Sequence, residues 1–92
     1  MIPHPPCIGY TVILTPTASK ILSKLNKQTI SAILDKLKQL TFGRQNLDIK
    51  KLKNSKTLYR LRVGNYRVIY QIAHSTITIH VVEIGHRKEV YR

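Results

Sequence analysis

Apolar residues recur along the chain with two different spacings, which divide it into helical and extended segments. After a β-rich stretch at 10–14, Thr15 and Pro16 supply a helix cap and a first helical residue. Apolar residues three and four apart then predict two amphipathic helices that meet near Asn26. The apolar faces of these helices carry Ala18, Ile21, Leu22, Leu25, Ile30, Ile33, Leu34, Leu37 and Leu40.

The second half of the chain has the patterning of β-structure. The polar segment 42–57 is predicted as a loop with room for one helical turn. Beyond it, alternating runs flank Gly64-Asn65, a hairpin signal, and a polar turn at 73–75 leads to a final strand. The predicted strands are 58–63, 66–72 and 76–84. The order β-α-α-β-β-β predicts an α+β fold in which two N-terminal helices pack on one face of a small antiparallel-rich sheet.

The chain is long enough for one domain. Residues 1–8 hold three of the four prolines and are predicted to be a flexible tail, and 9–92 a single domain. The N-terminus lacks a signal-peptide pattern and no apolar run is long enough for a bilayer, so a cytoplasmic protein is expected. Cys7 is the only cysteine and the four histidines lack ligand spacing, so neither a metal nor another cofactor is predicted.

Charge is the unusual feature of the composition. Sixteen Lys and Arg against four Asp and Glu give a formal net charge of +12. Self-repulsion at this level lowers stability, which indicates that the charge serves binding. Nucleic acid, an anionic membrane surface and an acidic protein are the partner classes that such a charge suits.

The predicted hairpin places like charges face to face. A two-residue loop at Gly64-Asn65 sets Arg62 opposite Arg67, with Arg60 two residues away on the same side. We call this side the arginine face; it comprises Leu58, Arg60, Arg62, Arg67, Ile69 and Gln71. The opposite side, the core face, carries Tyr59, Leu61, Val63, Tyr66, Val68 and Tyr70.

The helices can cover only one side of the sheet, so the arginine face is expected to be open. A phosphate bound there would convert repulsion into charge-assisted hydrogen bonds. The alternative is a solvated cationic face whose long side chains splay apart.

A further basic segment follows the last strand. His86, Arg87, Lys88 and Tyr91 are expected to reach the edge of the hairpin. Tyr91 has two interpretations, stacking on a base or anchoring the tail by its ring. His86 likewise is either an acid–base group near neutral pH or a turn histidine without chemistry.

The segment YRLRVGNYRVIYQI followed by VVEIGHRKEVYR, with KLK at 51–53 upstream, resembles the RelE family of bacterial and archaeal toxins, in the RelE/ParE superfamily. The resemblance spans about 10–92 and is strongest over 51–92. It implies the toxin of a type II toxin–antitoxin system: a cytoplasmic endoribonuclease that cleaves mRNA in the ribosomal A site and so inhibits translation. The family fold agrees with the one predicted from the pattern.

The resemblance also implies partners and site residues. The partners are the ribosome with mRNA, and a cognate antitoxin of the RelB type, acidic and partly disordered when free; operator DNA is bound only through the toxin–antitoxin complex, and no membrane is involved. The catalytic positions by motif are Arg60, Arg62, Arg67, Arg87 and Tyr91. The expected RNA-binding residues are Lys51, Lys53, Lys56, His86 and Lys88.

The chemistry of RNA self-cleavage suits such a site. The 2′-hydroxyl attacks the adjacent phosphorus and leaves a cyclic phosphate, so the protein aligns the groups, stabilises the phosphorane charge and moves two protons. Some family members have lysine where this chain has Arg60 and Arg62, and arginine almost never deprotonates. The general base therefore stays open among Lys53, His86 and a ribosomal group.

Three other functions fit the sequence. A related toxin of the ParE type shares the fold but poisons DNA gyrase. A non-catalytic, basic RNA-binding or ribosome-associated module would have the same composition. An inactive remnant kept for its complex with an antitoxin is the third.

Overall fold

The computed structural model describes residues 7–43, 46–53 and 55–86. Two helices and five strands follow one another in the order β-α-α-β-β-β-β. The elements are β1 (Thr11–Leu14), α1 (Pro16–Ser23), α2 (Lys27–Thr41), β2 (Ile49–Lys51), β3 (Leu58–Val63), β4 (Tyr66–Ala73), a short 3₁₀ turn (His74–Thr76) and β5 (Thr78–His86). The α+β prediction and the predicted helical hairpin are confirmed.

Both helices begin at side-chain caps. The Thr15 hydroxyl accepts a hydrogen bond from the amide of Ala18 at 3.2 Å, and Pro16 opens α1. The Asn26 side-chain oxygen accepts one from the amide of Thr29 at 2.8 Å at the start of α2. Such caps satisfy amides that would otherwise lack partners at a helix N-terminus.

The sheet is mixed, with the order β1-β5-β4-β3-β2. β1 lies parallel to β5, and every other neighbouring pair is antiparallel.

One hydrophobic cluster joins the helices to the core face of the sheet and includes Ala18, Leu22, Ile33, Leu37 and Leu40 from the helices and Leu61, Val68, Tyr70 and Ile79 from the strands. Cys7, which the sequence assigned to the tail, also packs in this cluster, and burial raises the pKa of its thiol. No helix in the described part of the chain is long and apolar enough to cross a membrane.

The sheet corrects the prediction for the segment 42–57. A strand, β2, pairs there antiparallel to β3 and places Ile49 opposite Leu61. Ile49 packs against the core, which gives this three-residue strand a hydrophobic anchor between polar flanks. Residues 49–51 are thus part of the sheet, where the sequence predicted a loop.

A β-bulge changes the alternation of β5. Ile69 pairs with Glu83 while its neighbour Tyr70 pairs with Val81, so Val82 is the extra residue. A bulge of this kind inserts one extra residue. Beyond it, the residues that lie on each face of the strand are therefore shifted by one position. The strand also starts and ends two residues later than predicted, because the 3₁₀ turn and Ile77, with a left-handed φ of 53°, precede it.

Tyr70 is buried with its ring stacked on that of Tyr59 at a centroid distance of 5.7 Å. Among the described residues its hydroxyl has no hydrogen-bond partner, and burial raises its pKa far above the usual value for tyrosine. The folded state therefore holds this proton at a pH where the unfolded chain releases it.

We expect the free energy of unfolding to fall as the pH rises above about 10, the ordinary pKa of tyrosine, with Tyr70 contributing about 1.4 kcal/mol of the loss by about pH 11. Urea titrations at about pH 8 and about pH 11 measure the loss. The Tyr70→Phe variant keeps the stacked ring, so it should lose about 1.4 kcal/mol less than the wild type over this range. Equal losses in the two proteins would contradict this assignment.

Candidate anion-binding site

The register of the hairpin agrees with the sequence prediction. Arg62 lies opposite Arg67 and Val63 opposite Tyr66, across a loop of Gly64 and Asn65. Gly64 has a φ of 58°, the left-handed conformation that a type II′ hairpin loop requires at its first position. The core face is also confirmed: Tyr59, Leu61, Val63, Val68 and Tyr70 are buried and Tyr66 is partly buried.

The arginine face is less open than predicted. Arg60 and Ile69, which lie opposite each other, are each only 7% exposed. Arg62 and Arg67 are half-buried. The expectation of an open face is therefore wrong at Arg60, and the accessible guanidinium groups are those nearest the hairpin loop.

Asp48 is the acidic partner of two of these arginines. Its Oδ1 lies 3.0 Å from Nη2 of Arg60, and its Oδ2 lies 3.8 Å from Nε of Arg62. Its backbone carbonyl also accepts a hydrogen bond from the amide of Arg62 at 2.9 Å, which fixes the carboxylate beside β3. One carboxylate thus offsets part of the repulsion that the hairpin register creates.

The three guanidinium groups act on one another electrostatically. Burial lowers the pKa of Arg60; the Asp48 carboxylate opposes this, while the positive charges of Arg62 and Arg67 add to the lowering. Arginine still remains protonated at neutral pH, so the cluster is a permanent positive charge. An anion that replaced water between Arg62 and Arg67 would relieve this repulsion.

Strand β2 brings a fourth cation to the arginine face. Lys50 is directly opposite Arg60 and shares its face, whereas Lys51 is opposite Tyr59 and points to the other side of the sheet. Lys53 and Lys56, which were expected to bind RNA, are exposed but lie outside the strands. Neither Lys50 nor Asp48 was expected in the site, because their positions depend on the pairing of β2 with β3.

The bulge in β5 decides where His86 lies. His86 pairs with Tyr66 on the core face, with the two rings edge to face at 5.5 Å. Its expected place among the RNA-binding residues beside the arginines is therefore corrected: the strand directs it to the helix side. Gly85, which has no side chain, is instead opposite Arg67, and Glu83 lies beside Ile69 at the rim of the arginine face.

Three predicted site residues, Arg87, Lys88 and Tyr91, lie outside the described residues. Within 7–43, 46–53 and 55–86, no group of histidine, cysteine and carboxylate side chains is arranged to hold a metal ion. The described part of the site is thus a cationic patch of Lys50, Arg62 and Arg67 beside the buried Arg60, which is paired with the exposed carboxylate of Asp48. Such a patch can bind phosphate and stabilise charge that develops on it.

Comparisons with known proteins agree with this fold. The family model described as the ParE toxin of type II toxin-antitoxin system, parDE, matches residues 12–91. Toxin RelG of Mycobacterium tuberculosis is 31% identical over 90 residues, which cover 90% of this chain and 97% of that protein.

Solved structures are similar over most of both chains. The archaeal RelE–RelB complex from Pyrococcus horikoshii superposes with a TM-score of 0.74 at 28% identity, covering 87% of this chain and 97% of that one. The toxin–antitoxin complex RelBE2 from Mycobacterium tuberculosis gives a TM-score of 0.74 at 27% identity, covering 87% of this chain and 93% of that one.

Proposed function

The chain belongs to the RelE family of type II toxin–antitoxin toxins, and from this membership we propose that it is an endoribonuclease that cleaves mRNA in the ribosomal A site. The observation that carries the proposal is the pair of half-buried arginines, Arg62 and Arg67, held opposite each other on the sheet. A pair of like charges in this position is unfavourable unless an anion is bound, and the RNA backbone supplies one.

The arginine pair suits the transition state of RNA cleavage. Attack of the 2′-hydroxyl on phosphorus adds negative charge to the non-bridging oxygens, and the new bond forms as the bond to the 5′-oxygen breaks. Guanidinium groups from two hydrogen-bonded strands are positioned before the reaction, so they stabilise that charge without reorganisation. Proton transfer is assigned to groups outside the arginine pair, because guanidinium does not deprotonate.

The proposal extends to partners. Similar toxins are found in complexes with RelB, and a domain with a net charge of +12 suits an acidic, partly disordered antitoxin that wraps it. An antitoxin that covered Lys50, Arg62 and Arg67 would compete with RNA for the same charges. Contact with operator DNA is proposed only for the toxin–antitoxin complex.

Gyrase poisoning is a second candidate, because the family model that matches this chain is described as the ParE toxin. A gyrase poison does not need to bind a phosphodiester in its own site. The arginine pair therefore favours the ribonuclease, and the two functions leave different products in a cell.

The test is induction of the chain without an antitoxin, followed by primer extension on abundant mRNAs. We expect growth arrest with new 5′ ends within codons, and neither effect with an Arg67→Ala, Arg87→Ala variant of equal abundance. Lys20→Ala, at an exposed position of α1, is the matched control and should remain toxic. DNA damage signalling without new mRNA ends would instead indicate gyrase poisoning, and a harmless protein would refute both functions.

A further inference from the structure

Two basic side chains lie at the same level of the arginine face, one on each of two neighbouring strands. Lys50 of β2 and Arg60 of β3 are direct cross-strand partners. Opposite residues in an antiparallel pair have Cβ atoms about 5 Å apart, so a phosphate near one is within reach of the other. Which of them meets the ligand depends on their exposure and on the groups already paired with them.

Arg60 is poorly placed to meet an RNA phosphate. Its side chain is 9% exposed, and its Nη2 already donates to Asp48 at 3.0 Å. A ligand would therefore need to displace the Asp48 carboxylate and uncover a guanidinium that the fold buries.

Lys50 is in the opposite situation. It is exposed, and no carboxylate in the described part of the chain forms an ion pair with it. Lysine binds phosphate as a flexible point charge, so it does not need the fixed geometry that a buried guanidinium imposes. Its ammonium group is therefore available on the same face as Arg62 and Arg67.

We infer that Lys50, and not Arg60, is the basic side chain that contacts the RNA backbone beside Arg62 and Arg67. Arg60 is a structural residue whose ion pair with Asp48 supports the floor of the site. This inference rests on the proposed function for the identity of the ligand, because it takes the anion to be an RNA phosphate. The phosphate contact is thus assigned to Lys50 of β2, whereas the motif positions would assign it to Arg60 of β3.

The experiment measures the binding of a short 2′-O-methyl oligoribonucleotide, which cannot be cleaved, by fluorescence anisotropy over a range of salt concentrations. The logarithm of the association constant falls linearly with the logarithm of the salt concentration, and we call the steepness of this line the salt slope. Loss of one phosphate contact lowers the salt slope by about 0.7 and weakens binding about fivefold at about 0.1 M salt. We expect this change for Lys50→Met and less than about a twofold change for Lys50→Arg, which keeps the charge. Lys24→Met removes the same charge from an exposed position that follows α1, and this variant should bind as tightly as the wild type.

The variants at positions 24 and 50 alter exposed side chains, so misfolding does not limit the test. Equal weakening by Lys50→Met and Lys24→Met would overturn the inference, because it would show only a loss of net charge. Unchanged binding by Lys50→Met, or failure of the wild type to bind the oligonucleotide, would also overturn it. A wild type that binds in this Lys50-dependent way but cleaves no ribosome-bound mRNA would refute the proposed function and leave the Lys50 contact standing.

Discussion

Replacing Arg67 by alanine is expected to lower the rate of mRNA cleavage on ribosomes by about 10²- to 10³-fold, the usual effect of removing one preorganised donor to a developing oxyanion. Arg67 is half-buried in the second strand of the hairpin and lies opposite Arg62 on the arginine face. Removing it also removes cross-strand repulsion, so stability should not fall in parallel with activity.

The measurement is single-turnover cleavage of an mRNA on purified ribosomes, with thermal unfolding of the same samples. Arg67→Lys keeps the charge without the planar fork, so its rate should lie between those of the wild type and the alanine variant. Lys20→Ala, far from the hairpin in sequence and on an exposed helical position, should cleave at the wild-type rate. A rate within a few-fold of wild type for Arg67→Ala would contradict the catalytic role.

The second large effect is the salt dependence of RNA binding. Three phosphate contacts, from Lys50, Arg62 and Arg67, predict that the logarithm of the association constant falls with the logarithm of salt with a slope of about −2. Affinity for a non-cleavable single strand should then fall about 20-fold between about 50 and 200 mM salt. Contacts from further basic residues would make the slope steeper.

Arg62→Met tests whether this slope comes from the arginine face. We expect the slope to become shallower by about 0.7, with a smaller loss of affinity at high salt than at low salt. Lys24→Met, at an exposed position that follows α1, serves as the control for net charge and should leave the slope unchanged. A slope near zero, or the same reduction in both variants, would show that the arginine face does not hold the backbone.

Local signals in the sequence were sufficient for the helices and the hairpin. Thr15 and Asn26 cap the two helices, and Gly64-Asn65 sets the register that places Arg62 opposite Arg67. Each of these features depends on residues close together in the chain, and the Thr15 cap, the helix junction near Asn26 and the hairpin register were predicted correctly.

The parts that were missed depend on distant pairing. A strand of three residues, Ile49–Lys51, is too short for its alternation to be recognised, so the places of Asp48 and Lys50 on the arginine face could not be derived. His86 was misplaced because the last strand was expected to end at residue 84, which put His86 in the basic segment that follows it. β5 instead extends to His86, and with the bulge at Val82 the ring of His86 packs against Tyr66 on the core face.

The position of β5 has a consequence for the synthesis of the protein. β5 lies between β1 and β4, so the strand near the start of the described chain, Thr11–Leu14, has its sheet neighbour at Thr78–Val81. During translation, β1 cannot pair with β5 until the late segment that forms β5 has left the exit tunnel. The parallel pair joins residues far apart in the chain, so it cannot form from neighbouring residues alone. A nascent chain that lacks β5 therefore lacks the strand that pairs with Arg67 through Gly85, so the site is complete only after β5 has joined the sheet.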